Sequence, residues 1–327
     1  ARHDARRVML AGGFATAELL MTHGWALGDA ALYLLRLLTG VGSAATFVAG
    51  GLLAARLSQT GTAAARSVSS GLVLGLYYGG TGLGIIASAL LVPPLAARAA
   101  AHAWQAAWWA LGAVALAATL VTLVSVRWFA APPVPRSAHS RFAWRVFGFG
   151  LAAYFMFGLG YIGYMTFIVT LLHEQQVAPA RIVGFYVLLG AGVVASSWLW
   201  AGLLQRFRGG ESLAILNGLL AVATLLPVLS VHPVALVASG LLFGGVFLSV
   251  VASTTALVRH NLPQAAWPAG IAAFTIVFAA GQIVGPTLVG WLADGSGGLA
   301  RGLACSAVFL AAGAVAGPRP KPFTRGV

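Results

Sequence analysis

The chain has 327 residues, 60% of them hydrophobic and only 8% charged, with a formal net charge of +13. A water-facing surface needs a charged fraction nearer about 25%, which excludes an ordinary soluble domain. The basic residues form no stripe or tail suited to nucleic acid; they fall in gaps between long apolar runs, as charge sorted by membrane topology does.

Ten runs reach the about 20 residues that a helix needs to cross the hydrocarbon core: residues 8–27, 31–55, 70–95, 104–126, 146–172, 182–204, 213–231, 234–258, 269–292 and 298–317. Lipid offers the backbone no partner, so only helices and closed barrels span it. These runs are too long and too evenly apolar for barrel strands. The expectation is an all-α polytopic membrane protein in contact with the lipid bilayer. Alternate gaps collect Arg2, Arg6, Arg7, Arg56, Arg66, Arg127, Arg136, Arg141, Arg145, Arg206, Arg208, Arg259, Arg319, Lys321 and Arg325, whereas the other gaps hold Arg98, Arg181 and Arg301. Positive charge stays on the cytoplasmic side. Both ends of the chain are therefore expected in the cytoplasm, and the protein in the plasma (inner) membrane.

The first run follows ARHDARR, a charged head like that of a signal peptide, but Glu18 interrupts it and nine more runs follow. Glu18 is the only carboxylate deep within a run, and it reads either as a proton carrier or as a protonated or hydrogen-bonded structural residue. The second run holds LYLLRLLTGVGSAATF, with Arg36 inside it. A permanent charge costs at least about 2.5–3.5 kcal/mol at a helix centre and less near an end. Arg36 either snorkels to the outer interface or points into a cavity; Thr39 and Ser43, at i+3 and i+7, give it a polar face that favours the cavity. Gly40 and Gly42 would let another backbone approach closely.

Residues 127–145 form the longest polar interruption, and Pro132, Pro133 and Pro135 forbid a helix there. A faint repeat pairs Gly40 with Gly244, Arg2 with Arg206, and Gly80 and Gly84 with Gly281 and Gly285, at near-constant offsets that imply a six-span period. In the fifth run Tyr154, Tyr161 and Tyr164 fall at i, i+7 and i+10, among Gly158, Gly160 and Gly163; interfacial anchoring or a cavity face both fit. In the eighth, Ser249 and Ser253 face a cavity or bond back to their own helix. In the ninth, GQIVGPTLVG contains Gly281, Gly285 and Pro286, and Pro286 removes a helix hydrogen bond and kinks the helix. Cys305, the single cysteine, lies in an apolar run and reads as a small buried hydrophobe. No metal-ligand cluster, catalytic triad, phosphate loop or CxxC pair is present, so no cofactor, metal or enzymatic activity is expected.

Arg36 with Thr39, Gly40, Ser43 and Ala44 resembles the fourth-helix motif of the major facilitator superfamily. Arg2, Arg6 and Arg7 match the basic positions of that superfamily's loop between helices two and three, and Gly202, Leu204 and Arg206 resemble a weaker copy. The run from Ala152 to Val169 is similar to the seventh helix of the YbfB/YjiJ-type branch. Gly281 to Pro286 resembles the superfamily's Gly-x-x-x-Gly-Pro pattern; in the fifth helix, where that pattern accompanies antiport, Gly80 and Gly84 are followed by Ile85 rather than proline. The resemblance implies a helical bundle with ten spans of an expected twelve, six in each half and the first two helices absent. It assigns residues 1–130 to the N-terminal half-bundle (helices 3–6), 131–145 to a cytoplasmic linker, and 146–327 to the C-terminal half-bundle (helices 7–12). It further implies a monomeric secondary transporter of a small molecule, proton-coupled, with efflux as one direction, in which Arg36, Tyr154 and Tyr161 contact substrate or tune coupling. The rival readings are a ten-span drug/metabolite-type transporter, which predicts a boundary after the fifth run, and a membrane-embedded enzyme or scaffold.

Overall fold

The computed structural model describes residues 4–26, 28–57, 70–98, 102–126 and 144–317. Its elements are α1 (Ala5–His23), α2 (Asp29–Leu57), α3 (Ser70–Gly79), α4 (Thr81–Ala96), α5 (Ala103–Val126), α6 (Gly148–Glu174), α7 (Pro179–Leu199), α8 (Ala201–Arg206), α9 (Glu211–Leu229), α10 (Pro233–Asn261), α11 (Trp267–Ala293) and α12 (Gly298–Ala316), with one 3-10 turn at Gln264–Ala266. Arg2 and most of the 131–145 linker lie outside the described residues.

Among the described residues, nine helical stretches are long and apolar enough to cross a membrane, so the chain is a multi-pass membrane protein. The remaining predicted run, the first, does form a helix, α1. It carries Arg6, Arg7 and Glu18 within 19 residues, which lowers its apolarity below that of the others. Asp4 caps it by accepting from the Arg6 backbone N–H at 3.1 Å.

Two predicted runs are broken. Residues 70–95 divide into α3 and α4 at Gly80, beside Gly79, where consecutive glycines weaken the helix. Residues 182–204 divide at Trp200, whose indole N–H donates to the Gly245 carbonyl at 2.6 Å and holds the turn against α10. The run at 269–292 forms α11, helical on both sides of Pro286. Cys305 is half-buried rather than buried.

The chain forms two compact units, one from residues 1–60 and 84–133, the other from 61–83 and 134–327. In the first, α1 packs on α2 and α5. Its closest crossing is glycine to glycine: a Cβ on Gly12 would lie 2.8 Å from the Gly42 carbonyl, and one on Gly42 would lie 2.9 Å from the Thr16 hydroxyl. In the second unit α10 is the most buried element, with Phe243, Val246 and Val250 sealed among α7, α9 and α3, while α6 packs on α11 and α12. Without a hydrophobic force between helices in lipid, such contacts rest on close van der Waals packing.

The glycine expectations change accordingly. A Cβ on Gly40 or Gly84 would meet no described atom within 4 Å, so neither provides the packing notch read from the sequence. The close approaches of α3 are instead at Gly71, Gly75 and Gly79, against Ala201, Ser197 and Val193 of α7 and α8. That stripe, glycine at every fourth position, is legible in the sequence.

Candidate functional site

Five glycines in α6 each cost helix stability, yet the helix is continuous over 27 residues, and Gly158, Gly160 and Gly163 sit where neighbouring helices press closest. A Cβ on Gly158 would be 2.8 Å from the Phe278 carbonyl and 3.2 Å from Gly281 Cα of α11. This contact brings the aromatic faces of α6 and α11 together.

Tyr154 and Tyr161, two turns apart on α6, are both buried. Tyr154 stacks on Phe157 and Phe278, with ring centroids 5.5 and 5.0 Å away, and meets Phe274 edge-on at 5.8 Å. Tyr161 stacks on Phe157 (4.8 Å), Phe278 (5.4 Å) and Phe247 of α10 (6.0 Å). Its hydroxyl accepts from the Gln282 side-chain amide. Pro286 lacks an N–H, so the Gln282 carbonyl loses its helical donor; one residue of α11 thereby presents both a side-chain amide and a freed backbone acceptor. Nearby, the buried Tyr78 of α3 bonds Thr255 of α10 at 2.8 Å. Thr255 also faces the Val251 carbonyl at 3.4 Å, which fits the Tyr78 hydroxyl as donor. The Tyr154 hydroxyl lies within reach of Thr254 and close to Tyr78. All of these side chains belong to the second unit, and none carries a charge. The arrangement suits a solute held between flat apolar faces and oriented by a few neutral hydrogen-bonding groups.

Tyr164 does not join this cluster. Three residues beyond Tyr161 it has turned about 60° around the helix, toward α10 and α9. Its ring stacks on Phe243 at 3.9 Å, and its hydroxyl bonds Ser239 at 2.6 Å. Ser239 donates to the Ala223 carbonyl at 2.7 Å, so Tyr164 is the donor in the pair. The one-face grouping of the three tyrosines is thus corrected. Ser253 bonds back to the Val250 carbonyl at 2.7 Å, and Ser249 is buried beside it on α10.

The first unit holds Arg36. It is exposed, and its guanidinium lies 4.5 Å over the Trp108 ring of α5. His23 stacks on the same indole, also at 4.5 Å. Its Nδ1 must donate to the Leu19 carbonyl, 2.7 Å away, since that oxygen only accepts; its buried Nε2 has no hydrogen-bond partner among the described residues. Thr39 Oγ1 is likewise buried without a described partner, and Ser43 is exposed. Glu18 is exposed on α1, and no described residue hydrogen-bonds its side chain. Arg7 is exposed, Arg6 half-buried, and Arg206 rests its guanidinium 5.5 Å from the Phe207 ring. Sequence reasoning missed Tyr78, Gln282, Phe247, Phe278 and Trp108. Only Gln282 carried a signal, as the one polar residue with an amide in an otherwise apolar run just before a Gly-Pro step.

A family model described as "Uncharacterised MFS-type transporter YbfB" matches residues 1–317. No curated protein matches the chain. Among solved structures, the human organic anion transporter MFSD10 (TETRAN) is similar at 17% identity over 96% of this chain and 77% of its own, with a TM-score of 0.68. The MFS transporter FucP of E. coli, in the outward conformation, is similar at 12% identity over 98% and 84%, with a TM-score of 0.69. A bacterial homolog of the human lysosomal transporter Spinster, inward-facing and unoccupied, is similar at 15% identity over 96% and 82%, with a TM-score of 0.54. At these identities the likeness shows the fold.

Proposed function

The chain belongs to the YbfB-type family of major facilitator superfamily (MFS) transporters, and we propose that it carries a small solute by alternating access, coupled to a proton gradient. Family membership makes it a transporter rather than an enzyme and sets aside the ten-span drug/metabolite-type reading. The observation that carries the site assignment is the Tyr161–Gln282 pair. It is a part-buried polar contact beside Phe157, Phe247 and Phe278, on two helices joined by a glycine-to-glycine approach.

In this reading Tyr154 and Tyr161 offer ring faces to the solute. Gln282, Tyr78 and Thr255 supply the hydrogen bonds that orient it. Both tyrosines are buried, so a solute reaches them when α6 and α11 part. The smooth glycine contact and the carbonyl left free by Pro286 favour that movement. Arg36 is a fixed positive charge on a spanning helix, held on Trp108 without an ion pair among the described residues. A charge so placed is a functional candidate by default; it attracts an anionic group or sets the protonation of a nearby acid. Interspersed basic residues support the inner membrane as location, with the residue 127–145 side cytoplasmic.

The test is flux into proteoliposomes containing a pH-sensitive dye, with a panel of sugars, amino acids and aromatic acids added under an imposed proton gradient. At least one solute is expected to give gradient-dependent flux that Tyr161→Ala and Gln282→Ala reduce at least tenfold. Solute flux that both variants retain would remove this pair from the site. Right-side-out and everted vesicles read the direction.

A further inference from the structure

Away from the tyrosine cluster, the second unit contains a cavity of about 300 Å³ between the end of α6 and the starts of α7 and α10. Its construction follows from one backbone turn. Gln176, with φ 58°, takes the left-handed conformation at the end of α6, and the Val177 N–H then donates to the Leu172 carbonyl at 2.9 Å. This helix-ending turn sets Val177 over Leu172, and both side chains line the cavity, with Phe185 and Leu236 opposite. Gly184 forms part of the floor; a Cβ there would meet no described atom within 4 Å.

One charged residue lines this apolar space, Arg181. It is exposed, and no described carboxylate pairs with it or bonds its guanidinium; Glu174, the nearest acid in sequence, does not line the cavity. The N-termini of two long helices, Pro179–Leu199 and Pro233–Asn261, add positive dipole ends at the same mouth. A second cavity of about 310 Å³, beside Arg301, makes the contrast. There Asp294 is part of the lining, and Arg301 donates to the Ser296 carbonyl at 3.2 Å. The α7–α10 cavity alone of these two joins an apolar interior to an uncompensated cation at the end of spanning helices.

We propose that this cavity binds an anionic phospholipid, with its phosphate on Arg181 and the start of an acyl chain in the groove over Gly184. A cleft of this volume is at the small end for ligand sites, which suits part of a chain rather than a whole soluble molecule. Basic pockets between spanning helices recognise anionic headgroups at the cytoplasmic end in this way, and Arg181 assembles the same chemistry at the opposite end of α6 from the 127–145 side. The proposal stands apart from the solute site, sharing no residue with it.

The full-length chain in neutral detergent is titrated with phosphatidylglycerol, phosphatidylcholine or inorganic phosphate, and bound lipid is counted by native mass spectrometry. Phosphatidylglycerol should bind in preference to phosphatidylcholine. Arg181→Gln should lower phosphatidylglycerol binding about fivefold and leave phosphatidylcholine unchanged. Gly184→Leu, which fills the groove, should lower both lipids, and Arg301→Gln should change neither. Equal binding of the two lipids by the unaltered protein would overturn the proposal, as would an Arg181→Gln variant that keeps the preference or a Gly184→Leu variant that binds normally. Displacement of the lipid by inorganic phosphate would mark a free-anion site and overturn it as well.

Discussion

Replacing Gly75 by alanine should destabilise the protein, whereas the same change at Gly40 or Gly84 should not. A Cβ on Gly75 would lie 2.7 Å from the Ser197 carbonyl oxygen and 2.8 Å from Ser197 Cα, both backbone atoms of α7. Non-bonded carbons prefer about 3.5–4.0 Å, so α3 must retreat from α7 by roughly 0.5–1 Å. A retreat of that size gives up a quarter to a half of the local contact energy, and it strains the Ser197 hydroxyl's bond to the Gly75 carbonyl, now 2.8 Å. Overpacking of this kind costs about 1–3 kcal/mol, against which alanine returns up to about 1 kcal/mol of helix propensity. The net expectation is a loss of about 1–2 kcal/mol. Gly281→Ala, whose Cβ would be 2.7 Å from the Phe155 carbonyl and 3.0 Å from Gly158 Cα, should behave alike. At Gly40 and Gly84 only the propensity gain applies. Thermal unfolding in detergent, followed by tryptophan fluorescence, ranks the four variants. A Gly75→Ala protein as stable as Gly40→Ala would refute the claim that α3 and α7 meet backbone to backbone.

Tyr164→Phe and Ser239→Ala should each destabilise, and the double variant by less than their sum. Their coupling energy should fall at about 0.6–1.7 kcal/mol, the range of buried hydrogen bonds within membranes; a thermal double-mutant cycle with zero coupling would contradict the Tyr164–Ser239 hydrogen bond. Trp108→Leu removes an indole stacked on both His23 and Arg36, and should lower stability by about 1–2 kcal/mol with Trp108→Phe retaining part of it, measured by the same thermal assay. Arg36→Ala should insert normally into the membrane and lose gradient-driven flux. Tyr161→Phe should keep the gradient dependence and weaken apparent solute affinity about fivefold, one neutral hydrogen bond's worth. Flux kinetics at several imposed gradients separate the two, and an Arg36→Ala protein with normal gradient dependence would end its assigned role.

Helix existence and type were legible because a span is long: about 20 apolar residues leave little ambiguity, and the described helices follow the predicted runs within a few residues at most ends. Where the reading failed, the deciding interaction was a single tertiary contact. Trp200 ends α7 early because its indole finds the Gly245 carbonyl 45 residues away, and nothing local signals that. Glycine was ambiguous for the same reason. Gly79 and Gly80 are neighbours in sequence, yet a Cβ on Gly79 would collide with the Ser197 hydroxyl while one on Gly80 would touch only its own preceding turn. Which of the two faces α7 depends on helix phase, and the spacing of Gly71, Gly75 and Gly79 carries that phase better than any single glycine.

The candidate site shows how a motif can draw attention to a helix without distinguishing its atoms. The tyrosines drew attention to α6, but their spacing could not tell Tyr161, paired with Gln282, from Tyr164, consumed by Ser239. Tyr161 and Tyr164 are both buried, so burial and residue type do not identify which of them is functional. What separates the two hydroxyls is the chemistry of the partner. Ser239 donates its own hydrogen bond to a backbone carbonyl of α9, which fixes Tyr164 into the packing. Gln282 keeps a second amide hydrogen and an acceptor carbonyl released by Pro286. Tyr161 therefore stands beside unused hydrogen-bonding capacity and Tyr164 does not. That surplus, rather than the tyrosine spacing, is the physical reason to place a solute at Tyr161.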